Sequence, residues 1–90
     1  MKKHFNIRIS GKVQGVYYRA NTQTEAKKLG LTGFVKNEIN GDVYIGAEGD
    51  EEQLKKLIEW CRQGPTRAVV KNVEITEGEL KNYPDFVIKR

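Results

Sequence analysis

Asn40-Gly41 sits between two runs of alternating apolar and polar residues, and this combination restricts the fold more than any other feature of the chain. Before it, GFVKNEI (33–39) places Val35, Asn37 and Ile39 on one face; after it, DVYIGAE (42–48) does the same for Val43, Ile45 and Ala47. A period of two is the pattern of a strand with one buried face. Asn-Gly supplies the positive φ angles of a tight turn, so the two runs are expected to pair antiparallel.

The other elements arrange around that hairpin. Phe5, Ile7 and Ile9 alternate with His4, Asn6 and Arg8, which reads as a first strand with His4 on its solvated side. A helical segment follows from about Tyr18 to Leu29, with Thr22, Ala26 and Leu29 on one face and Gly30 as its stop. The clearest helix comes after the hairpin, where Leu54, Leu57, Ile58 and Cys61 fall at i, i+3, i+4 and i+7. Asp50 is its candidate cap, with Gln53 three residues on, and Gly64-Pro65 ends it. Residues 67–76 read as another strand, and GELKNYPD turns into a short last one, FVIKR. This order is the split βαβ pattern: an α+β, ferredoxin-like βαββαβ sandwich, an antiparallel sheet covered on one face by two helices. Ninety residues make a single domain, 1–90. Each helix carries one apolar stripe and no second, so a monomer is expected. The fold by itself decides no function.

Charge and residue inventory exclude several classes. The net charge is +4, but the basic pairs Lys2-Lys3, Lys27-Lys28 and Lys55-Lys56 are scattered among acids and read as solvated faces. RNA-recognition modules share this strand and helix order, and the chain offers Tyr17, Tyr18, Phe34 and Tyr44; their Lys/Arg-Gly-aromatic-Gly/Ala-aromatic octamer is absent, so no nucleic-acid partner is expected. The N-terminal MKKHFNIRIS has no apolar run after its lysines, and no stretch reaches membrane-spanning length. With one cysteine, no internal disulfide forms; a cytoplasmic protein without a membrane partner is expected. The single histidine and single cysteine have no plausible partners in sequence, and Cys61 lies on an apolar helix face, so neither a metal site, a cofactor nor a covalent nucleophile is expected.

The remaining chemistry lies in VQGVYYRA (13–20), between the first strand and first helix. The first N–H groups of a helix lack internal partners, and its N-terminus carries partial positive charge. Gly11 and Gly15 let the backbone curl so that successive N–H groups converge on an anion. Arg19, in the first turn, adds a planar cation suited to phosphate oxygens. The same glycines serve a simple tight turn, and Arg19 is one of sixteen basic residues; spacing does not choose between these readings. Asn37 is the second unusual residue. A carboxamide on an apolar strand face either bonds the adjacent turn backbone or orients a water or substrate oxygen.

GKVQGVYYR, AKKLGLTGFVKN, the Asn40-Gly41 turn with DVYIGAEG, GPTRAVVKNV and FVIKR together resemble the acylphosphatase family over essentially the whole chain. The resemblance implies a small ferredoxin-like enzyme that hydrolyses the carboxyl–phosphate bond of acyl phosphates without metal, cofactor or covalent intermediate. It implies that Arg19 binds the phosphate, that Asn37 orients the attacking water, and that the backbone N–H groups of Gly15, Val16, Tyr17, Tyr18 and Arg19 cradle the phosphate, or a sulfate in its place. The family often has phenylalanine at the positions of Tyr17 and Tyr18, tryptophan at Phe34 and aspartate at Asn40; none of these departures removes a catalytic group. Two other readings use the same loop: a module that binds a phosphorylated ligand without turnover, and a fragment of a larger carbamoyl-transfer protein. The chain starts at Met1 and shows no zinc-type cysteine array, so a standalone enzyme is expected.

Overall fold

In a computed structural model that describes residues 1–89, the elements are β1 (Lys2–Lys12), α1 (Tyr18–Lys28), β2 (Thr32–Asn37), β3 (Val43–Asp50), α2 (Glu51–Gln63), β4 (Val69–Gly78) and β5 (Phe86–Ile88). The two alternating runs pair antiparallel, with Val35 opposite Ile45 and Asn37 opposite Val43. β2 ends at Asn37, so Ile39 does not join its apolar face; it is fully exposed in the connection. That connection is closed by the Glu38 N–H donating to the Asp42 carbonyl at 2.8 Å and the Gly41 N–H to the Glu38 carbonyl at 3.1 Å.

The sheet order is β4-β1-β3-β2-β5, and both helices pack on it. Ile7 and Ile9 from β1, Val35 from β2, and Val43, Ile45 and Ala47 from β3 are fully buried together with Leu54, Leu57 and Cys61 of α2. Each of these large side chains contributes about 1.5–3 kcal/mol by leaving water. Asp50 caps α2 by accepting from the Glu52 N–H at 3.0 Å. α1 buries Tyr18, Thr22 and Ala26, while Leu29 lies just past its end and is half-buried.

Two further expectations are corrected by the course of the chain after β4. The sheet is mixed: β5 lies parallel to β2, with Gly33 opposite Phe86 and Val35 opposite Ile88. The chain leaves β4 beside His4, crosses the outer face of the sheet over residues 79–85, and enters the far edge running in the direction of β2. The same crossing buries His4, which is not solvated. Its parity does point it away from the helices, but Tyr83 packs over it at 6.2 Å and Glu48 of β3 takes its Nδ1 at 2.8 Å.

Glu48 is fully buried and is held by charge-assisted hydrogen bonds. Its carboxylate accepts from the backbone N–H of Lys81, from Asn82 at 2.8 Å and from Tyr83 at 3.4 Å, as well as from His4. Burial alone raises its pKa; the bonds from Lys81, His4, Tyr83 and Asn82 outweigh burial and hold the carboxyl below the usual glutamate range. A group depressed on folding contributes stability that is present above its unfolded pKa and lost as pH falls through the folded one. The urea midpoint is therefore expected to fall as the pH drops below about 4. Glu48→Gln should flatten that part of the profile; an unchanged acid slope in the variant would assign the loss to other carboxylates.

Candidate active site

β1 runs through Gly11, where a bulge at Ser10-Gly11 brings the backbone against β4; a Cβ at Gly11 would lie 2.1 Å from the Val69 carbonyl oxygen. Gly11 thus belongs to the strand, and the loop proper is Val13–Tyr17. Gly15, at φ +74°, makes the left-handed turn that a side chain resists, and Tyr17 repeats it at φ 63° as the residue preceding α1. Val13 and Val16 are buried and pin the loop to the core. The side chain of Tyr17, at the cap position, makes no capping hydrogen bond to the start of α1.

Two neighbours fix the loop further. Gln14 Nε2 donates to the Glu38 and Asp42 carbonyls at 2.8 and 2.9 Å, tying the loop to the hairpin that carries Asn37. Tyr18 is buried, packs on Trp60 at 5.3 Å and donates its hydroxyl to the Cys61 carbonyl at 2.7 Å. The next residue, Arg19, is therefore set at a defined height on the first turn of α1. Its Nη1 donates to the Lys89 carbonyl at 3.4 Å.

These elements enclose a cleft of about 380 Å³, lined by Val13, Gly15, Tyr17, Tyr18 and Ala20 together with Arg19, Asn37 and Ile88. Arg19 is the one charged residue among the described residues that line it, and no carboxylate faces it there. The cleft combines a helix N-terminus, a left-handed loop and a guanidinium, each of which favours an anion. Asn37 Oδ1 is buried at its wall with no hydrogen-bond partner among the described residues. Arg19 and Asn37 come from different elements yet meet at one cleft. Gly15, Tyr17 and Tyr18 line it too, while Val16 is turned into the core and offers only its backbone.

A family model described as acylphosphatase matches residues 5–88. The chain belongs to the acylphosphatase family. An acylphosphatase of Marinobacter nauticus is 56% identical over 83 residues, covering 91% of this chain and 90% of that protein. Among solved structures, an acylphosphatase from Coxiella burnetii superposes with a TM-score of 0.95 at 39% identity, covering 98% of this chain and 93% of that one. The acylphosphatase from Bacillus subtilis gives the same TM-score at 36% identity, with both chains fully covered.

Two buried titratable groups behind the acylphosphatase cleft, Cys61 and Tyr18, are unsuited to catalysis. Burial pushes the Cys61 thiol up to about 12, so no thiolate forms at neutral pH. Burial, with Cys61 beside it, also raises the Tyr18 phenol. Neither is a nucleophile or proton carrier here. Three contributors escape a reading of the sequence alone. Gln14 looks like an ordinary loop residue, and only its two carbonyl partners, Glu38 and Asp42, show that it clamps the loop to the hairpin. Ile88 reaches the cleft, and the Lys89 carbonyl reaches Arg19, because β5 adds to the edge of β2, a pairing set by β2's side of the sheet and carrying no signal in FVIKR itself. No helix of the structure is long and apolar enough to cross a membrane.

Proposed function

We propose that the protein hydrolyses acyl phosphates to a carboxylate and inorganic phosphate, with the phosphoryl group seated at the N-terminus of α1. The backbone N–H groups of Gly15, Val16, Tyr17, Tyr18 and Arg19 cradle the phosphate, and the Arg19 guanidinium neutralises its oxygens. Asn37 orients the attacking water. The water oxygen bonds to phosphorus as the phosphorus–acyl oxygen bond breaks in line; the bonding pair leaves with the carboxylate, and the water proton passes to a phosphate oxygen. The carboxylate is a good leaving group and needs no strong acid. Orientation and charge stabilisation then carry most of the catalysis.

The observation that carries this reading is the convergence of Arg19 with the unpartnered Asn37 oxygen on one cleft. A buried oxygen without a partner is costly, and a water held against a bound phosphate would satisfy it. We further infer that one copy of the single domain, 1–90, suffices, working in the cytoplasm, because Arg19, Asn37 and the loop all come from one chain and Cys61 is a free, buried thiol. The test is hydrolysis of benzoyl phosphate at neutral pH with a chelator present. Turnover above background that inorganic phosphate inhibits competitively is expected. A folded protein that binds phosphate without turnover would instead be a phosphate-ligand sensor.

A further inference from the structure

β5 is three residues long and lies at the edge of the sheet, paired among the described residues with β2 alone. It and the residue after it nonetheless supply two parts of the site: Ile88 lines the cleft, and the Lys89 carbonyl accepts from Arg19. Just past its downstream end the Lys89 N–H donates to the Val35 carbonyl at 2.8 Å, and at its start Gln23 of α1 donates to the Phe86 carbonyl at 3.0 Å. The segment before it, 79–85, has no helix or strand of its own and is exposed apart from Tyr83. That segment is fastened by one buried group. Glu48 gathers the consecutive N–H groups of Lys81, Asn82 and Tyr83, and Asn82 stands at φ 58° to aim them at it. His4 completes the clasp from β1, its Nε2 meeting Asn6 Oδ1 at 2.8 Å.

We propose that Glu48 is a positioning residue for the phosphate site: by clasping residues 81–83 it fixes where β5 enters the sheet, and so where the Lys89 carbonyl holds the Arg19 guanidinium. The inference rests on reading Arg19 as the phosphate-binding side chain. Glu48 lies at the end of the sheet where β5 begins, and the cleft lies where β5 ends, so it acts without touching the ligand. A three-residue edge strand has little packing of its own to preserve its register once the clasp opens.

The test compares wild type, Glu48→Gln and Asn82→Pro by amide hydrogen exchange and by phosphate titration of the loop amides. Asn82→Pro removes one clasp donor and forbids the positive φ in an exposed segment outside the core, so it reads the clasp even if Glu48→Gln folds poorly. Exchange at the Lys89 amide is expected to accelerate by about tenfold or more, with the central Ile45 amide as the control for global opening. Phosphate affinity should weaken by about three- to tenfold, a loss that disappears in an Arg19→Ala background. Exchange at Lys89 that rises only in step with Ile45 would overturn the proposal. So would a loosened β5 with unchanged phosphate affinity, or an equal loss in the Arg19→Ala background. If wild type itself neither binds phosphate nor turns over, the reading of the site falls first and the positioning role with it; wild-type turnover with unresponsive variants sinks the positioning role alone.

Discussion

Arg19→Ala is expected to lower kcat/KM for benzoyl phosphate by about 10³-fold or more, the scale on which an arginine acts in phosphoryl transfer. The charge on the equatorial oxygens must be met by groups already in place, and Arg19 is the one cation among the described residues lining the cleft. The backbone cradle would remain, so residual phosphate binding is expected, but it supplies partial charges where the guanidinium supplies a full one. Arg19 is half-exposed and its contact with the Lys89 carbonyl is long, 3.4 Å, so its removal should leave the urea midpoint nearly unchanged. Arg19→Lys keeps the charge without the planar fork and should recover only part of the loss. Steady-state kinetics on folded variants decide the matter. A fall of less than about tenfold, which is only 1.4 kcal/mol, would mean that the cradle alone holds the phosphate.

Much of the fold was legible because its signals are local. The period-two runs around Asn40-Gly41 and the i, i+3, i+4, i+7 set of α2 depend only on near neighbours, and these elements form there, except that β2 stops at Asn37 and leaves Ile39 in the connection. Cys61 fell on the apolar face for the same reason and is fully buried. What stayed hidden depends on distant chain. His4 has the parity of a solvated residue and would be one if residues 79–85 did not cross above it; its partner Glu48 lies 44 positions away. The direction of β5 follows from that crossing, since a strand entering the far edge from the β4 side must run with β2. Gly11 carried a turn signal, but the bulge against Val69 used it inside β1. At the site, the place of Arg19 after a glycine loop at a helix start made it a candidate, but spacing left a plain tight turn equally open until the cleft was assembled around it. Asn37 was ambiguous from spacing, because only the assembled cleft shows that its Oδ1 finds no partner among the described residues.

That orphaned oxygen gives Asn37→Ala an unusual expected signature. kcat should fall by about 10²–10³-fold, the cost of losing a well-placed polar group at the reacting centre. Phosphate affinity should be retained, because Arg19 and the loop N–H groups come from α1 and its approach and not from β2. Stability should hold, because Asn37 Oδ1 makes no hydrogen bond to another described residue that alanine would remove. If Asn37 instead ended β2 by bonding the turn backbone, alanine would lower the urea midpoint and leave kcat untouched. The two accounts thus predict different outcomes on two measurements from one variant. Loss of turnover without loss of stability identifies a side chain retained for catalysis, and it assigns the water to Asn37 independently of the phosphate-binding role of Arg19.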